Sequence, residues 1–110
     1  MIDWSRVEDL RSEIGIADFM EVVDLFLEET DGSVDRLAAG LAPAAVEGEL
    51  HFLKGSALNL GFGALAALCQ DGERCASGGH SASVELERIV QCYAQSKQAF
   101  LAGLARLDAA

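Results

Sequence analysis

From Asp18 to about Ala39, residues suited to a helix interior recur at three-and-four spacing: Phe19, Val22, Val23, Phe26, Leu27, Thr30, Val34, Leu37 and Ala38. A pattern of that period and length commits the segment to an amphipathic helix, and a helix with one apolar stripe must bury it against other elements. The rest of the chain offers only more helices. Trp4, Val7, Leu10 and Ile14 mark a short first one, and no alternating pattern long enough for a strand occurs. The composition agrees: alanine is abundant, aromatics are 6% and proline occurs once, a mix that favours helix over sheet.

Punctuation residues set the expected boundaries. Asp3 or the Ser5-x-x-Glu8 box caps a helix over 3–14, and Gly15 ends it. Asp18-x-x-Glu21 reads as the cap of the second helix. Gly40-Leu41-Ala42-Pro43 makes a tight connection, because glycine suits a helix end and proline the first turn of the next helix. A third helix stops at Gly61, with Phe62-Gly63 as the corner into a fourth carrying Leu65, Leu68, Cys69, Gly72, Cys75 and Ala76. Ser77-Gly78-Gly79-His80-Ser81 is the one strong loop signal, and His80 reads as an ordinary loop residue. A last helix follows, with its stripe at Leu86, Ile89, Val90, Tyr93, Phe100, Leu101, Leu104 and Leu107, and Glu85 and Glu87 in its first turn.

These elements predict an all-α fold. The expectation is an antiparallel up-down-up-down four-helix bundle over about 18–107 with a short extra N-terminal helix, all in one domain spanning 1–110. One residue does not fit. Glu49 points toward the core side of its helix.

Eight basic against eighteen acidic residues give a net charge of −10, which repels nucleic acid and anionic membranes. Neither a leader pattern nor an apolar run of membrane-spanning length is visible, so a cytoplasmic location is expected. Cys69, Cys75 and Cys92 are odd in number and form no CxxC pair, which suits helical core thiols in a reducing compartment.

His51 carries the chemistry. Taking it as zero on a helix that advances about 100° per residue, Leu53, Leu60, Val46 and Ala57 lie at roughly 200, 180, 220 and 240°, so the stripe points away from the imidazole. Lys54 and Gly55 share its face, three and four residues on. Glycine costs a helix interior about 1 kcal/mol relative to alanine, and Gly48 repeats the cost on the same face. Close access to the ring is the expected reason.

Three chemistries are open to that imidazole. A metal centre needs several converging ligands, and the only other histidine is His80. A hydrolase needs a nucleophile, an orienting group and a pocket, and Ser56 at about 140° lies too far round the helix to partner His51. Phosphoryl transfer needs an accessible ring nitrogen, a nearby cation and room for a partner in line. His51, Lys54 and Gly55 supply those three.

The pattern His51-x-x-Lys54-Gly55-Ser56-Ala57-x-x-Leu60-Gly61 resembles the signature of histidine-containing phosphotransfer domains, whose architecture is a four-helix bundle with the histidine exposed on a central helix. The resemblance implies a phosphorelay intermediate. Its histidine takes a phosphoryl group from the aspartate of a response-regulator receiver domain, in a pathway fed by a hybrid histidine kinase, and passes it to another receiver. It implies no cofactor of its own, magnesium belonging to the receiver, and no ATP binding. Carried over by position, His51 is the phosphoacceptor, Lys54 its electrostatic partner and Gly55 the bare spot for approach. Several members place a ring-binding glutamine where this chain has Glu73, so Glu73 and Gln70 both stand as ring-orienting candidates. Ala44, Glu47, Gly48, Leu58 and Phe62 are expected to form a docking patch, on a protein expected to be monomeric. The alternatives are a helical module that docks on a kinase or response regulator without carrying phosphate, and a metal-dependent bundle.

Overall fold

The computed structural model describes residues 2–109, the last two by their backbone. It is built from helices: α1 (Trp4–Ile14), α2 (Ile16–Ala39), α3 (Pro43–Leu60), α4 (Gly63–Ser77) and α5 (Leu86–Ala109), with one 3₁₀ turn at Ser81–Ser83. Consecutive helices α2 to α5 lie side by side and α5 returns to α2, while the diagonal pairs α2/α4 and α3/α5 do not meet. That neighbour order closes a bundle around one core. That core holds Leu50, Leu53, Ala57 and Leu60 of α3, all wholly buried, together with Phe19, Val23 and Leu37 of α2, Leu65 and Cys69 of α4, and Ile89 and Phe100 of α5.

The expected boundaries hold at α1, where Asp3 accepts from the backbone N–H of Arg6 as the cap. At α2 they shift. The helix starts at Ile16, directly after Gly15 at φ +97°, so Asp18 lies inside the first turn and is not the cap. A left-handed glycine between two helices turns the chain within one residue and leaves no room for the later start. At α5, Glu87 is in the first turn, while Glu85 lies just before the helix and pairs with Arg88 at 3.2 Å. Glu49 finds its reason in α2: its carboxylate receives Arg36 Nε at 2.9 Å and Nη2 at 2.8 Å, an ion pair at the rim of the α2/α3 interface.

The corner between α3 and α4 fixes the frame around His51. Gly61 closes α3 in the left-handed region, and Phe62 N–H reaches back to Ala57 O at 2.7 Å, the pattern that ends a helix by folding the following side chain onto it. Phe62 therefore turns inward, 0% exposed, edge-on to Phe100 and tilted against Tyr93. The same corner receives the N-terminal segment, because Asp3 N–H donates to Gly61 O at 2.7 Å. From there Trp4 stacks on Phe100, over Gly103 of α5, where an added Cβ would lie 2.1 Å from the indole. α1 thus closes one end of the bundle.

A second clasp joins α2 to α5. Tyr93 donates its hydroxyl to Asp31, and Lys97 Nζ reaches both oxygens of that carboxylate at 3.0 Å. Burial first, then the Asp31 hydrogen bond and charge, push the Tyr93 phenol well above its ordinary range, so it stays a donor.

Candidate functional site

The residues that bury α3 also decide where His51 goes. Leu50 and Leu53 flank it in sequence and are fully buried, which sends the intervening imidazole outward, with its side chain 74% exposed. It stands over the seam between α3 and α4, on the far side of the bundle from α2. Its Nδ1 lies 3.4 Å from Glu73 Oε2, across from it on α4. Lys54, one turn further along α3, donates to the same Oε2 at 3.2 Å. One carboxylate therefore holds both the ring and the cation.

Glu73 has capacity left. Lys54 Nζ is also 3.2 Å from Oε1, an ion-pair distance, but off the direction of a hydrogen bond, so that buried oxygen has no hydrogen-bond partner. Below it, one turn earlier on α4, Cys69 is fully buried. Burial, then the charges of Glu73 and Cys92, push its thiol up to about 12 against a smaller opposing pull from Lys54. Cys69 is a neutral, apolar floor to the site. Cys75 and Cys92 are half-buried, and all three thiols are free.

Glycines shape the surface around the ring. A Cβ built on Gly48 or on Gly55 would meet nothing within 4 Å. Gly72, by contrast, is needed internally, since a Cβ there would come within 2.9 Å of Leu50. The bare positions beside His51 thus serve nothing inside the fold.

The other candidates divide. Ala44, Glu47 and Gly48 lie exposed on the N-terminal half of α3, and Leu58 is 55% exposed toward its C-terminal end. Phe62 is the correction: its side chain belongs to the core and offers no docking surface, because the helix-ending turn folds it inward. Of the two ring-orienting candidates, Glu73 makes the contact. Gln70 lies one turn earlier along the groove with Lys54 and Leu58, and has no hydrogen-bond partner among the described residues. Sequence reasoning passed over Phe52, an exposed aromatic next to His51, and Arg74, next to Glu73. The sequence held a signal for Phe52, since Phe52 and Leu53 are adjacent and only one can occupy the middle of the stripe. Among the described residues no cluster of three or more histidine, cysteine, aspartate or glutamate side chains is arranged to hold a metal, and no helix is long and apolar enough to cross a membrane.

Comparison with protein families matches the chain to the Hpt domain over residues 21–110. Neither curated proteins nor solved structures gave a match. The matched span takes in α3 and α4 entire, with His51, Lys54 and Glu73. A helical bundle that carries an exposed histidine on one helix and matches this family over most of its length has a plain assignment: the chain belongs to the Hpt domain family, the phosphocarrier modules of two-component signalling.

Proposed function

We propose that His51 accepts a phosphoryl group from the aspartate of a receiver domain and passes it to a second receiver. The observation that carries this reading is the orientation of the ring. Nδ1 faces a carboxylate while Nε2, the other ring nitrogen, belongs to a side chain 74% exposed. With Nδ1–H donating to Glu73, the lone pair sits on Nε2, where an in-line partner reaches it.

In the forward step Nε2 attacks the phosphorus of the aspartyl phosphate. The N–P bond forms as the P–O bond to aspartate breaks, and the aspartate leaves as a carboxylate with the bonding pair. The ring becomes an N-phosphoimidazolium that keeps its Nδ1 proton, and the anionic Glu73 faces that positive charge. No proton has to leave. Attack by the second receiver's aspartate reverses the bonding and restores the neutral ring. Lys54 shifts from Glu73 toward the phosphoryl oxygens as their charge arrives. Gly48 and Gly55 leave the surface beside the ring bare for the receiver's approach.

The receiver brings the magnesium, and this chain contributes no cofactor and binds no ATP. A hybrid histidine kinase stands upstream, and the protein works as a monomer in the cytoplasm. Incubation with phosphorylated receivers tests the assignment: mass spectrometry should find an acid-labile phosphoryl group on His51, absent from His51→Gln. Transfer that persists in His51→Gln overturns it. Receiver binding with no label on the wild type across a broad panel would instead favour the docking module that carries no phosphate.

A further inference from the structure

Beside the phosphoacceptor, between α3 and α4, runs a groove of about 400 Å³. Its apolar wall is Leu58, Ala66 and Ala67, and its charged rim is Lys54, Asp71 and Arg74. The two cations differ in freedom. Lys54 is pulled inward by Glu73, whereas Arg74 is 72% exposed and held only by Asp71, an i,i+3 neighbour at 3.8 Å, beyond hydrogen-bond distance. An exposed pair of that kind is weak, so Arg74 is readily recruited elsewhere. Asp71 lines this groove and also the grooves toward α5, on the outer ridge of α4.

Charge along the chain opposes an acidic visitor less here than over α1 and α2. Between Asp3 and Ala39, the span of α1 and α2, eleven acidic residues stand against three basic ones. Between Pro43 and Ser77, the span of α3 and α4, the numbers are four and two, and Glu49 of the four is paired to Arg36 of α2. Most of the negative charge therefore lies away from the α3/α4 seam, on helices that would repel an acidic partner placed over them.

We propose that the α3/α4 groove is the selectivity pocket for the receiver: Leu58, Ala66 and Ala67 take an apolar side chain of the partner, and Arg74 pairs with a carboxylate next to it. This rests on the phosphotransfer reading of His51 and adds which receivers are chosen. Arg74 is a specificity residue and takes no part in bond making. The guanidinium suits the role, since its planar fork matches a carboxylate in a way an ammonium does not.

The test is phosphotransfer from a panel of phosphorylated receivers to the wild type, Arg74→Glu, Leu58→Ala and Arg88→Glu, with rates followed against receiver concentration. Arg88→Glu makes the same charge change on α5 and serves as the control. For the preferred receiver, Arg74→Glu and Leu58→Ala should each raise the half-saturating concentration by about tenfold, with the rate at saturation largely kept. Arg88→Glu should match the wild type, and a receiver carrying lysine in place of the paired acid should recover the loss in Arg74→Glu. Unchanged concentration dependence in both groove variants overturns the pocket, as does an equal loss in Arg88→Glu. Treating the wild type with phosphoramidate separates the levels: His51 labelled by the small donor but indifferent to the groove variants sinks the pocket alone, whereas no label from phosphoramidate or any receiver sinks the phosphotransfer reading and the pocket with it.

Discussion

Glu73 does two jobs with one carboxylate, and each predicts a measurable consequence. In the proposed mechanism it accepts Nδ1–H, 3.4 Å away, and so holds the ring in the tautomer that leaves Nε2 unprotonated. In Glu73→Ala the imidazole ¹⁵N spectrum should show the Nε2–H form gaining population, with transfer slowed by about tenfold or more. Glu73→Gln keeps an acceptor oxygen and should restore the wild-type tautomer. A wild-type spectrum in Glu73→Ala would remove Glu73 from the mechanism. Gly55 makes the opposite kind of prediction, since a methyl group there meets nothing inside the protein. Gly55→Ala should stabilise the fold by up to about 1 kcal/mol in urea titrations while slowing transfer from a receiver. A faster or unchanged rate would leave the glycine without an access role. Cys69 gives a pH signature. Burial and nearby negative charge push its thiol from 9.0 when unfolded up to about 12 in the native core, so the native state holds the proton more tightly. Its contribution to stability is complete below about pH 9 and is lost as pH rises toward about 12. Denaturant midpoints measured across that window should fall less steeply in Cys69→Ala than in the wild type.

At the scale of elements, the helix pattern in the sequence was legible because each stripe serves one core. The boundaries at Asp3, Gly40 and Gly61 were legible because capping chemistry is local. Two features were not. The start of α2 is set by the one-residue turn at Gly15, and the burial of Phe62 by a turn that folds the next residue back onto its own helix. Both depend on backbone geometry after a glycine, which apolar spacing does not encode. Glu49 and Arg36 were each visible, but their pairing depends on how α2 and α3 are set against one another. The site divides the same way: His51, Lys54 and Gly55 lie on one helix and their shared face follows from spacing alone, whereas choosing Glu73 over Gln70 needed the register of α4 against α3. The Trp4 indole of α1 lies against Gly103 of α5 with no room for a side chain there, and Gly103→Ala tests that contact. The new methyl group would overlap the Trp4 indole, so a loss of about 1–3 kcal/mol is expected in chemical denaturation. No loss would mean that α1 can lift without disturbing the bundle.

Over the whole molecule, an elongated body of 47 × 21 × 19 Å, the two clasps and His51 occupy different places. The Tyr93, Asp31 and Lys97 clasp ties α2 to α5 and α1 closes an end, while His51 stands over α3 and α4, so the face around the histidine carries none of these ties. The net charge of −10 was plain from composition, but its crowding onto two of the five helices mattered only once the neighbour order was known. Lopsided charge of this kind gives the molecule a preferred attitude in an electric field. On a positively charged support it should settle with α1 and α2 against the matrix and present His51 to the liquid, already aimed at whatever flows past.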